Sequence, residues 1–336
     1  MIKRSVQILE GMRHETGLFS AAAKQVKTGY NRAWIRDNVY AALGLEAVKS
    51  TKAKRAVVKT YRALLDILLK HEYKIDWMIK EPLPKHSHRY IHARYDPATM
   101  MEIYEDWGNK QNDSIGAVLF KIGELESKGM KIIRNNADLR ILQKLVNYLA
   151  AIEYWHDKDN GMWEENEELH ASSIGACVAG LKAISRIVDV DTGLIRKGEE
   201  ALNRLLPFES ETKETDLALL SLIYPYNVVS DKQKKQILRN VEKMLVRNRG
   251  VIRYEDDKYY NNGNGEAEWT FGFPWLAIIY RQLNKPAKYA YYMRKTYGAM
   301  NSKGELPELY YSGTSVHNEN SPLAWSQAMF IVAKSK

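Results

Sequence analysis

Apolar positions recur along this chain with helical spacing almost throughout, and runs that alternate with period two are hard to find. Two kinds of helical segment take turns. In one kind a single stripe is apolar and the back is charged. Val57, Tyr61, Leu64, Leu65 and Leu68 mark one such face, Leu142, Leu145, Val146 and Leu149 a second, and Ile237, Leu238, Val241, Met244 and Leu245 a third. In the other kind the segment is apolar nearly all round, as over 115–122, 174–184, 217–224, 273–280 and 323–332, and such a helix has to be buried. The periodicity predicts about twelve helices, near 3–24, 38–50, 52–71, 112–128, 137–155, 171–189, 192–206, 215–224, 230–247, 268–283, 286–298 and 321–334. Alternation of striped and buried members implies six helical hairpins closed into a ring, with buried helices inside and striped ones outside. The expected fold class is therefore all-α, an (α/α)6 barrel. No sequence repeat of fixed period accompanies it, and no Gly/Ser/Pro-rich linker interrupts it, so residues 1–336 read as a single domain.

Composition adds limits. With 45% hydrophobic and 27% charged residues, the chain can bury a sizeable core and does not have the make-up of a disordered one. The one cysteine, Cys177, lies in a buried segment, which rules out an internal disulfide and suits a small core residue. No long apolar run follows the charges at the N-terminus, and no window reaches the ~18 apolar residues of a membrane span. A cytoplasmic protein without a membrane partner is expected. The net charge of +9 invites a nucleic-acid reading, but 50 basic residues are interleaved with 41 acidic ones. The densest basic clusters, Lys49 to Arg55 and Lys232 to Lys235, are short and amphipathic. Solvated helix faces explain them without a nucleic-acid partner. The oligomeric state is left open.

Candidate chemistry gathers in the loops before the buried helices. Gly161 to Gly175 carries a tryptophan followed at once by two carboxylates, Trp163-Glu164-Glu165, and then Ser172 and Ser173, either of which could cap the next helix. A carboxyl beside an aromatic surface is what sugar chemistry needs: a flat apolar face for the ring and an acid able to hold a proton. Comparable loops read Trp34-Ile35-Arg36-Asp37-Asn38, Trp107 to Asp113, Glu211 to Asp216, Arg253 to Tyr260 with Trp269, and Leu306-Pro307-Glu308-Leu309-Tyr310-Tyr311. In an antiparallel ring they share one rim. Short hairpins within them are expected at Arg253-Tyr254 and Tyr259-Tyr260.

Trp34-x-Arg36-Asp37, Trp107-Gly108-x-x-Gln111-x-Asp113, Trp163-Glu164-Glu165, Asp216-x-x-Leu219-Leu220 and Arg253-Tyr254 to Tyr259-Tyr260 resemble glycoside hydrolase family 15, the glucoamylases, in order and spacing. Residues 33–40 and 169–175 are also similar to the glucoamylase-like domain of phosphorylase kinase regulatory subunits. The resemblance implies an inverting, exo-acting hydrolase that removes glucose from α-glucan ends. Glu164 takes the general-acid position and Glu308 the general base. Arg36 and Asp37 grip the terminal glucose, Trp34, Trp107 and Trp163 supply aromatic walls, and Glu165 and Arg253 contact the leaving sugar. Tyr310 joins the substrate contacts. Leu309 stands where glucoamylases usually have Gln. The implied partner is an oligosaccharide or a small α-glucoside, and neither metal nor organic cofactor is called for. A non-hydrolysing sugar sensor or regulatory domain, and a trehalase of the same family, are the alternatives.

Other signals lead elsewhere. His86, His88 and His92 have no Cys partner and no matching second half, which disfavours zinc. Asp157 to Gly161 reads as a turn and lacks the later glutamate of a calcium loop.

Overall fold

The structure, a computed structural model, describes every residue except Tyr104, Asp106 and Lys336. In chain order its α-helices are α1 (Ile2–Met12), α2 (Ile35–Glu46), α3 (Thr51–Lys70), α4 (Glu72–Lys80), α5 (Asn112–Ser127), α6 (Asn136–Ala151), α7 (Ala171–Ile184), α8 (Thr192–Leu205), α9 (Asp231–Asn240), α10 (Gly272–Gln282), α11 (Pro286–Gly298) and α12 (Ala324–Lys334). A 3-10 helix, Leu217–Leu222, stands among them, and α9 runs on into a π turn, Val241–Leu245.

Six of these elements form an inner ring. Going round, α2 packs on α5, α5 on α7, α7 on the 3-10 helix, that helix on α10, α10 on α12, and α12 back on α2. Nearly every residue of α2, α7, α10 and α12 is buried, as their all-round apolar sequences require. The outer helices bury one stripe each: α6 buries Ile141, Leu142, Leu145, Val146 and Leu149, and α8 buries Ala201 and Leu202. α1 leans on α12, α3 on α2, α6 on α5, α8 on α7, α9 on the 3-10 helix and α11 on α10. This is the (α/α)6 barrel expected from the alternation. One buried apolar cluster runs through it from Ile8 to Ala333.

The closest inner contact, α5 against α7, depends on missing side chains. A Cβ on Gly116 would sit 2.4 Å from the carbonyl carbon of Ala176, and one on Gly180 would sit 2.5 Å from the carbonyl oxygen of Gly116. Backbone therefore meets backbone, and any larger residue would force the two helices apart.

Several expected boundaries move. The first helix stops at Met12 rather than near 24, because the chain reverses at Gly17, whose φ of +103° suits glycine, and Arg13 bridges back to Phe19. The third is followed by an unforeseen α4 after a break at His71 (φ −107°, ψ 22°). The helix expected over 215–224 is 3-10 rather than α. α2 begins at Ile35, so Arg36 and Asp37 belong to its first turn instead of the loop before it. The cap of α7 is also different. The helix starts at Ala171 with His170 at the N-cap, and a carboxylate from a distant loop does the capping: Ser172 donates its N–H to Glu209 at 3.2 and 3.4 Å. A carboxylate is favoured there by the helix dipole.

The few strands are two-residue pairs at the N-terminal end of the inner ring. β1 (Ala33–Trp34) pairs antiparallel with β2 (Arg94–Tyr95), and β3 (Glu268–Trp269) with β4 (Leu309–Tyr310). The hairpin expected between Arg253-Tyr254 and Tyr259-Tyr260 does not form: Tyr254 bridges Asp216 instead, and Tyr260 turns with φ +56°. Among the described residues no helix is long and apolar enough to cross a membrane.

Candidate active site

Because all six inner helices start at the same end, the loops leading into them converge. They enclose a cavity of about 310 Å3 lined by Trp34, Arg36, Asp37, Trp107, Trp163, Glu164, Glu165, Arg253 and Glu308, with Tyr30, Arg94, Tyr259, Trp269, Phe271 and Trp325. Nine of the ten residues singled out in the sequence are in the first group. The tenth, Tyr310, is not. Its hydroxyl donates to the carbonyl of Ala299 at 3.1 Å and its ring lies under Arg249, on the outer side of β4. Pairing with Glu268 fixes it there, so Tyr310 belongs to the wall's support and not to the wall.

Glu164 sits at the end of the turn Asn160–Glu165, with φ +65°, a left-handed conformation unusual for a residue with a side chain. Asn160 holds that turn. Its Oδ1 accepts the N–H of Lys110 at 3.0 Å, its own N–H donates to the carbonyl of Lys110 at 2.7 Å, and its Nδ2 donates to the carbonyl of Glu165 at 2.6 Å. The turn is thus clamped to the Trp107–Gln111 loop. The fit leaves no room at Gly108, where a Cβ would come 2.8 Å from the carbonyl oxygen of Glu164. The Glu164 carboxyl accepts from Arg36 Nη2 at 3.3 Å. Burial nevertheless pushes its pKa up to about 8, against the pull of Arg36 and with the repulsion of Asp37.

Glu165 lives in an opposite environment one residue away. Arg253 Nη2 reaches its Oε1 at 2.7 Å, while Lys213 Nζ (2.6 Å) and the Tyr254 hydroxyl (2.7 Å) reach Oε2. Burial opposes ionisation, but Arg253, Lys213 and these hydrogen bonds outweigh it and hold the carboxyl below its ordinary range. Arg253 is itself fixed by Asp257, at 2.6 Å through both Nε and Nη2.

Arg36 forms the floor. Its Nη1 donates to Gln111 Oε1 at 2.9 Å and to both Asp113 oxygens at 3.1 Å, and the Arg36–Asp113 pair is almost wholly buried. Asp37 lines the cavity beside it, with a pKa raised to about 6 by burial, Arg36 opposing and Asp113 adding.

Glu308 precedes β4 and is 1% exposed. Two amides, Asn318 Nδ2 (2.5 Å) and Asn320 Nδ2 (2.8 Å), both donate to its Oε2. Burial raises its pKa, while Asn320, Tyr30 and Asn318 oppose the rise by hydrogen bonding.

The aromatic walls have supports of their own. Trp163 donates its indole N–H to both oxygens of Asp216, at 2.8 and 3.0 Å. Its ring stacks on Phe271, which stacks in turn on Trp325 at 4.7 Å and 5°. Trp34 meets Trp107 edge to face, and the Arg94 guanidinium lies over both rings. His92, from the histidine cluster, packs on Trp107. The turn Asp157–Gly161 has a structural job as well: Asp159 accepts the N–H of Asn112 at 2.8 Å and Asp157 accepts its side-chain amide at 2.9 Å, securing the start of α5.

Sequence reasoning missed Phe271, Trp325 and Arg94 as cavity residues, and Asn318 and Asn320 as partners of Glu308. A signal existed for the first two. Each is an aromatic at the start of an inner helix, the same place that Trp34 occupies at the start of α2.

The sequence profile described as "Glycosyl hydrolases family 15" matches residues 1–268. The chain belongs to that family. Among curated proteins it is similar to a probable phosphorylase b kinase regulatory subunit alpha of Caenorhabditis elegans, 26% identical, over 95% of this chain and 32% of that one. The skeletal-muscle regulatory subunit alpha of Oryctolagus cuniculus is 27% identical over 73% of this chain and 22% of its own length. The family 15 chain thus spans about a fifth to a third of these relatives. Among solved structures, a protein described as a wild-type glycosidase superposes with TM-score 0.84 at 18% identity, covering 99% of this chain and 94% of that one. The glucoamylase of Hormoconis resinae gives TM-score 0.72 at 14% identity, over 99% and 71%. A bacterial glucoamylase complexed with acarbose gives 0.73 at 15%, over 98% and 54%. These likenesses establish the fold.

Proposed function

We propose that this family 15 protein, acting as a single domain, is an inverting exo-acting α-glucosidase that releases glucose from short α-glucosides or α-glucan ends. The observation that carries the reading is a pair of glutamates in one aromatic-walled cavity with different surroundings. Glu164 is desolvated and keeps its proton near neutral pH, which suits a general acid on the leaving oxygen. Glu308 has one oxygen occupied by two amides. Its other oxygen, Oε1, is the one that would take the proton of an attacking water. Glu165, ionised and held by Arg253 and Lys213, would bind hydroxyls of the leaving sugar, and Arg36 with Asp37 those of the terminal glucose. The cavity volume lies at the small end of ligand sites, which run about 300–1,000 Å3, and suits a terminal sugar better than a through-running polymer. Support from relatives is of the same kind: one structural neighbour is described in complex with glucose and another with acarbose.

The test is a glucose-release screen on maltose, isomaltose, trehalose and starch, with the anomer of the product read by NMR. From starch ends, where the departing chain adds no free glucose, β-glucose is the expected first product, and α-glucose there would overturn inversion. A second reading has an observation in its favour, since the curated relatives are named as regulatory subunits. It takes over if the protein binds these sugars and cleaves none. Cleavage of trehalose alone would select the trehalase variant.

Two further outcomes are expected at the floor and the turn. Asp37→Asn should weaken glucose binding, measured by calorimetry, with the fold intact. Arg36→Ala should also lose binding but is not a clean probe: it strands the buried Asp113 carboxylate, at a cost of about 3–5 kcal/mol in stability. Asn160→Ala should lower kcat on the order of 10²-fold with little change in KM, because the clamp sets the aim of Glu164 and does not touch the terminal sugar. An unchanged kcat would show that the turn holds its shape without the clamp.

A further inference from the structure

The two ends of the barrel differ in charge balance. The catalytic end is lined by Arg36, Arg94 and Arg253 against four carboxylates, Asp37, Glu164, Glu165 and Glu308. At the other end, where the inner helices finish, lie two neighbouring hollows of about 540 and 660 Å3 that share Lys234 and Leu283 as a common wall. Eight cations line them against four carboxylates. A neutral sugar gives no reason for this surplus, and it lies at the opposite end of the barrel from the catalytic mouth.

The larger hollow is the more informative. Lys235, Arg239 and Lys243 follow one another at intervals of four along α9 and its π turn, and Lys285 faces them from just before α11. All four are exposed, and none makes an ion pair or side-chain hydrogen bond among the described residues. Their neighbours do: Lys234 pairs with Asp231 and Lys288 with Glu242. Between that row and Lys285 the floor is apolar, formed by Leu238, Leu283 and Tyr280. Tyr280 is committed to a stack on Tyr292 at 5.7 Å and 3°.

We propose that this groove docks an acidic peptide segment of a partner protein, with carboxylates on the cationic row of α9 and on Lys285 opposite, and apolar side chains on the floor. The alternatives fit less well. A nucleic acid would satisfy the cations but leaves the aliphatic floor unused, and Tyr280, buried and stacked on Tyr292, offers little ring surface to a base. A membrane surface would meet a flat or convex patch, and this one is concave.

The experiment uses the full chain and a short fluorescein-labelled peptide of alternating Glu and Leu, followed by anisotropy at low and physiological ionic strength. Micromolar binding that weakens with salt is expected. The triple charge reversal Lys235→Glu, Arg239→Glu and Lys243→Glu should weaken it by roughly tenfold or more, with glucose release or sugar binding at the distant cavity unchanged. Lys285→Glu, on the facing wall, should weaken it in the same direction and serves if the triple variant does not fold. Wild-type affinity in both variants, equal affinity for a Lys–Leu peptide, or tighter binding of single-stranded DNA would each overturn the proposal. None of these outcomes bears on the catalytic reading, which rests on the other end of the barrel.

Discussion

Glu164→Gln should lower kcat on α-glucosides on the order of 10²–10⁴-fold while leaving the cavity's shape and sugar affinity close to wild type. The amide is isosteric and can still accept from Arg36, but it has no proton to give to a departing alkoxide. An α-glucosyl fluoride, whose leaving group needs no protonation, should therefore restore most of the rate. The pH profile gives an independent check. A carboxyl whose pKa is pushed up to about 8 holds its proton at pH 7. In the wild type kcat/KM should fall as pH rises through about 8, as the acid loses its proton. In the variant acting on the fluoride that alkaline limb should be gone. The same shift has a sign for stability. Glu164 binds its proton more tightly folded than unfolded, so its contribution is present below the unfolded pKa near 4.5 and is lost as pH rises through about 8. Melting temperature should drop toward alkaline pH in the wild type and less so in the glutamine variant. Full turnover by Glu164→Gln on a poor leaving group would remove it as the acid.

Glu308→Gln should be as damaging, for a different reason. The attacking water then has no base, and better leaving groups cannot compensate, so α-glucosyl fluoride should not rescue this variant. Glu308 must be ionised to work, and burial raises its pKa above the ordinary value. The wild-type rate should accordingly fall at low pH through that raised pKa, giving a bell whose two limbs belong to the two glutamates. Asn318 and Asn320 both donate to Oε2 and stabilise the ionised form. Asn320→Ala should move the acidic limb to higher pH, because one of the bonds favouring the carboxylate is gone. A variant at Glu308 that responds to fluoride as Glu164→Gln does would reverse the two roles.

Much of this protein could be read along the chain, and the reason is periodicity. Segments such as 174–184 and 323–332 are apolar on every side and have no choice but the interior, while Leu142, Leu145, Val146 and Leu149 leave α6 a single face to bury. Alternation of the two kinds yields the ring, and the ring places Trp34, Trp107, Trp163 and Glu308 at one cavity. Residue type and spacing do not carry environment, however. Glu164 and Glu165 are adjacent and chemically identical, and only the tertiary structure separates them: Arg253, Lys213 and Tyr254 arrive at Glu165 from loops 48 to 89 positions away, whereas Glu164 is desolvated by the cavity. Tyr310 lies off the cavity for the same reason, since pairing of β4 with β3 turned a rim residue toward Ala299. The cap of α7 went to Glu209 rather than to its own serines because a carboxylate 37 positions on was brought to the helix end. Sequence determined which elements exist and which end of the ring is polar, because those follow from local burial. Which carboxyl holds a proton was decided by charges brought from far along the chain, and that is a property of the packed structure alone.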